Sequence, residues 1–69
     1  MSKAVVNVIK YIEAHGFVMD RQKNHYIFKL MGHTISMSKT PNNENTLIYD
    51  VRRDIRRAGI EALPLKNFN

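Results

Sequence analysis

Two consecutive stretches, H-Y-I-F-K-L (25–30) and H-T-I-S-M-S (33–38), constrain this chain more than any others. In the first, Tyr26, Phe28 and Leu30 alternate with His25, Ile27 and Lys29. In the second, Ile35 and Met37 alternate with Thr34, Ser36 and Ser38. Successive side chains of a strand point to opposite faces, so this pattern predicts a sheet with one apolar face and one mostly polar face. The polar face would carry His25, Lys29, Thr34, Ser36 and Ser38. The apolar face must be covered, and the flanking segments supply the cover.

Upstream, Val5, Val8, Ile9 and Ile12 recur at three- and four-residue spacing, which predicts an amphipathic helix over 3–15. Ser2 is its candidate N-cap and Gly16 its stop. A first strand over 17–22 follows, joined to the second by a short link at Lys23-Asn24, and Met31-Gly32 turns the second strand into the third. The polar loop 39–45 leads to a second helix over 46–58, with Leu47, Ile48, Val51, Ile55 and Ala58 on its apolar stripe and Gly59 as its stop. The tail from Ile60 offers a few apolar residues for docking and is otherwise expected to fray. The predicted fold is therefore α+β: an α-β-β-β-α two-layer sandwich, with both helices on one face of a three-stranded antiparallel sheet. At 69 residues the chain makes one domain, with its core over about 3–60 and a tail at 61–69.

Charge narrows the choice of partner. Eleven Lys and Arg against six Asp and Glu leave a net +5, which favours a polyanion such as RNA. The densest charge, V-R-R-D-I-R-R (51–57), reads either as a solvated helix face or as a ridge for phosphates or an acidic partner. The absence of cysteine fits a reducing, cytoplasmic setting, and no apolar run suits a signal peptide or a membrane span. No cofactor motif is recognised, and the three histidines lack metal-ligand spacing. His15 ends the first helix, where its partial charge suits the dipole, and His33 sits at a turn.

His25 is the candidate catalytic residue. It opens a strand on the uncovered face, close in sequence to Arg21, Lys23 and Lys29, which are suited to holding phosphates. An imidazole beside bound phosphate is equipped for metal-free RNA cleavage, as base for the 2′-hydroxyl or as acid for the leaving oxygen. The competing reading is a polar histidine on a strand with no chemistry to perform.

The runs G-F-V-M-D-R-Q-K (16–23), N-H-Y-I-F (24–28) and V-R-R-D-I-R-R-A-G-I (51–60) resemble those of the HicA toxins, small mRNA interferases with a fold like that of double-stranded-RNA-binding domains. With the first helix, the resemblance covers most of 3–60. It implies the α-β-β-β-α order, His25 as the residue needed for cleavage, mRNA as substrate and a HicB-like antitoxin as protein partner. The chain differs from that family in the turn before His25, where Asn24 stands in place of a Gly-Ser or Gly-Gly pair, and in lacking a histidine after the third strand. The alternative function is a non-catalytic HicA-like module, of phage origin for example, that binds RNA or a host protein through its basic surface.

Overall fold

A computed structural model describes residues 3–40 and 42–65. The elements follow the order α1 (Lys3–Ala14), β1 (Val18–Arg21), β2 (His25–Leu30), β3 (His33–Ser38) and α2 (Glu44–Arg57). The three strands form one antiparallel sheet in the order β1-β2-β3. Both helices cover one face of it, so the α+β two-layer sandwich stands. Ser2, the expected cap of α1, lies outside the described residues.

The buried set draws on both helices, the sheet and Phe17 in the link between α1 and β1. Helix α1 contributes Val5, Val8, Tyr11 and Ile12, the sheet contributes Tyr26, Phe28, Ile35 and Met37, and α2 contributes Leu47, Val51 and Ile55. Strand alternation places Tyr26 and Phe28 inward, each opposite another buried residue of β3, Met37 and Ile35 respectively. Phe28 is fully buried at the centre. Its truncation to alanine would cost about 3–5 kcal/mol through lost burial and the cavity left behind.

Local chemistry sets the boundaries. Leu30 pairs with His33, so Met31-Gly32 is a two-residue loop. Both residues have positive φ, 48° and 87°, as a type I′ turn requires. Glycine takes such a φ without cost, whereas Met31 is held there by the hairpin and points into solvent. Helix α2 begins two residues earlier than its apolar stripe predicts, because Asn43 caps it: the Asn43 side chain accepts a hydrogen bond from the Asn45 N–H at 3.0 Å. It ends in a Schellman motif, with Gly59 N–H donating to Arg56 C=O at 2.9 Å and Ile60 N–H to Ile55 C=O at 3.3 Å. Gly59 has φ 81°, and this reversal turns the chain back over the core.

The described part of the tail docks through its apolar residues, as expected; the end of the tail, 66–69, lies outside the described residues. Ile60, Ala62, Leu63 and Leu65 pack against the core. Leu63 is gripped at both backbone groups, by Tyr11 of α1 and by His15 just after its end. Its N–H donates to His15 Nε2 at 3.0 Å, and its C=O accepts from Tyr11 Oη at 2.7 Å. His15 Nδ1 lies 2.8 Å from the Tyr11 carbonyl oxygen, so the tautomer with its proton on Nδ1 satisfies both ring nitrogens. Tyr11 Oη also accepts from Arg52 Nε of α2 at 3.2 Å, tying both helices to the tail. Tyr11 is therefore a core residue that the apolar stripe of α1 omitted. Its signal was present: Val8, Tyr11, Ile12 and His15 follow helical spacing.

Candidate nucleic-acid interface

The sheet face away from the helices holds the candidate residues in a cross. Its centre is Ile27, which is half-buried. Arg21 pairs with it from β1 and Ser36 from β3. Along β2, His25 and Lys29 flank it on the same face at about 7 Å each way. His25 and Lys29 therefore stand on opposite sides of Ile27, about 14 Å apart along β2, with Arg21 beside Ile27 on the neighbouring strand. Lys23 sits in the hairpin loop next to His25 and is exposed. Arg21, His25 and Lys29 lie on the same open face, His25 at the hairpin end of β2 and Lys29 towards its other end, while Lys23 lies in the loop beyond the hairpin end.

A bulge makes this arrangement possible. The β1–β2 register shifts between Met19 and Arg21, so Asp20 is the extra residue. Without it, simple alternation would put Arg21 on the covered face with Met19. The Asp20 carboxylate then meets both cations, at 3.7 Å from Arg21 Nε and 3.5 Å from Lys29 Nζ. These pairs are long and solvent-exposed, each worth about 0–1 kcal/mol, so they position the cations without consuming them. Asp20 is a functional candidate that the sequence reasoning missed. An acidic residue inside a basic strand was the available signal.

His25 pairs with Ser38 of β3 and is exposed. Among the described residues it makes no hydrogen bond, so both ring nitrogens are open to a ligand. The hairpin loop before it is braced from the residue after β3: Lys39 Nζ donates to the Gln22 carbonyl oxygen and lies 5.2 Å from the centroid of the Tyr26 ring. Lys39 is a second residue the sequence reasoning missed, and only the pairing of β3 with β2 brings it there.

The other candidates separate from this site. His33 pairs with Leu30, at the opposite end of the β2–β3 ladder from His25. His15 serves the tail. Among the described residues no three His, Cys, Asp or Glu side chains gather in a way that would hold a metal ion. No described helix is long and apolar enough to cross a membrane. The α2 arginines divide as well: Arg52 bonds Tyr11, Arg53 lies 3.8 Å from Asp50 and 4.0 Å from Asp54, and Arg56 and Arg57 remain exposed. Tyr26 and Phe28 face the core, so neither is placed to stack on a base.

No protein-family model matches the chain, and neither does any curated protein or solved structure.

Proposed function

We propose that this protein is an endoribonuclease of the HicA-like mRNA interferase type, cleaving mRNA without a metal through His25. The observation that carries the reading is the cross around Ile27: an exposed imidazole with no described side-chain partner, on the same open face as Arg21 and Lys29. The likeness of the R-Q-K…H-Y-I-F run to the HicA toxins supports the same assignment.

In this reading Arg21, Lys23 and Lys29 hold the phosphodiester by charge and hydrogen bonds. The 2′ oxygen attacks the adjacent phosphorus, and the bond to the 5′ oxygen breaks. A proton must leave the 2′ oxygen and another must reach the 5′ oxygen. His25 performs one of these transfers and water the other. The cations stabilise the charge that builds on the phosphoryl oxygens. A protein antitoxin that masks this face would be the expected partner of such an activity.

A second reading rests on a specific observation: no described residue orients His25, whereas catalytic imidazoles are usually fixed through their second nitrogen. The face would then be a phosphate-binding surface without chemistry. Incubating the protein and its His25→Ala variant with mixed-sequence RNA in EDTA separates the two, with circular dichroism on both. Cleavage by the wild type alone supports the nuclease. Folded protein that binds RNA and leaves it intact supports the binding module and refutes the nuclease.

A further inference from the structure

The two edges of the sheet are unlike. Strand β1 is four residues long, bulged at Asp20 and charged, features that block pairing with a foreign strand. Strand β3 is six residues long, unbroken in register and carries no Lys, Asp, Glu or Pro. Half of its backbone N–H and C=O groups turn away from β2, towards the open edge. A groove runs beside that edge, walled by α2. One end of the groove is lined by His33, Thr34 and Arg57, the other by Ser38, Asn43 and Thr46, while Ser36 and Asp54 line both halves.

We propose that this edge joins a second copy of the same chain, through β3–β3 pairing about a two-fold axis. The argument is charge complementarity. The groove side of α2 carries Asp50, Arg53, Asp54 and Arg57 in that order. Read backwards, the series has every sign reversed. A two-fold axis runs two copies of α2 antiparallel and makes the contact isologous. Asp50 then faces Arg57 of the other copy, and Arg53 faces Asp54, so all rows match.

The strand and the helix can share one axis. Residues opposite one another in a ladder lie on the same face, so the axis passes at Ile35 or Ser36. Ser36 lines both halves of the groove together with Asp54, and the middle of the charged series falls between Arg53 and Asp54. The lengths also agree: β3 spans about 17 Å, as does α2 from Thr46 to Arg57. The four groove charges cancel within a chain of net +5, so this is a part of the surface that does not repel its own copy. Pairing would join two three-stranded sheets into one of six strands and place two His25 clusters on one continuous face. The dimer stands on its own observations, whether or not that face cleaves RNA.

The test is sedimentation equilibrium of the full chain from micromolar to millimolar concentration, with amide exchange of β3 followed by NMR. The wild type is expected to dimerise, with the β3 amides that face away from β2 slowing as the dimer forms. Arg57→Asp sets like charges together twice per dimer and should weaken association by roughly tenfold or more. The double variant Asp50→Arg with Arg57→Asp restores opposite charges and should restore the dimer. Circular dichroism checks that each variant is folded. A wild type that stays monomeric throughout overturns the proposal and leaves the edge to a foreign strand. A dimer indifferent to Arg57→Asp, or one the folded double variant does not recover, overturns it too.

Discussion

His15 and His25 are the same side chain in opposite circumstances. His15 stands in the seam between α1 and the tail, with both ring nitrogens bonded to backbone, at 2.8 Å to the Tyr11 carbonyl and 3.0 Å to the Leu63 N–H. His25 stands on the open face with neither nitrogen bonded to a described residue. One imidazole uses its donor and its acceptor to hold the fold. The other has no partner for either nitrogen among the described residues. The lesson is that a histidine's role is set by whether the backbone has already claimed its nitrogens, and residue type alone does not reveal this.

The strongest way to break that contrast is to remove each imidazole in turn. His25→Ala should lower RNA cleavage by about 10²–10⁴-fold, the range general acid–base groups supply, with stability changed by less than about 0.5 kcal/mol. Single-turnover cleavage and urea unfolding of the same preparation check both halves. A stability loss equal to that of a core variant would show that His25 is structural after all.

His15→Ala should do the reverse. The Leu63 N–H loses its acceptor in a half-buried seam, at a cost of about 1–3 kcal/mol. Tyr11→Phe should fall in the same range, since it strips the Leu63 carbonyl and Arg52 of one shared partner. Both variants should keep full cleavage per folded molecule. Urea midpoints measure the loss, and protease cutting after the second helix reports release of the tail. If the two effects are simply additive in the double variant, the clamp is not one network.

Smaller effects should come from the cations. Arg21→Ala and Lys29→Ala should each weaken RNA binding several-fold and lower the slope of log K against log salt by about 1. Smallest of all is Asp20→Asn, which frees both cations and should tighten RNA binding by about twofold to threefold. Filter binding across a salt series would measure both. Weaker binding in Asp20→Asn would mean that the carboxylate matters for the bulge more than for charge.

Much of the architecture was readable before any coordinates. The alternation in H-Y-I-F-K-L and H-T-I-S-M-S gave the strands and the buried faces of Tyr26, Phe28, Ile35 and Met37. Three- and four-residue spacing located both helices to within two residues. His25 and Lys29 fell on the open face that the alternation of β2 predicts, whereas Arg21 reaches that face only through the bulge. Less was visible where a residue's partner is distant in sequence. Tyr11 and Leu63 are 52 positions apart, and Arg52 reaches Tyr11 across 41. Lys39 braces Gln22 from just beyond the third strand. The bulge at Asp20 escaped notice because one inserted residue leaves the local pattern almost intact while moving Arg21 to the other face.

Short-range periodicity therefore settled the elements, their faces and the single apolar layer between helices and sheet, because burial of alternate or every third and fourth side chain follows from backbone geometry alone. The uses of the polar groups were settled later, in three dimensions. Hydrogen bonds need a partner at a particular distance and angle, and for His15, Tyr11, Asp20 and Lys39 that partner is supplied by another strand, helix or tail segment, or by a register shift. The same three-dimensional arrangement left His25 open, and it aligned an unprotected β3 edge with a charge series on α2 that matches its own reverse.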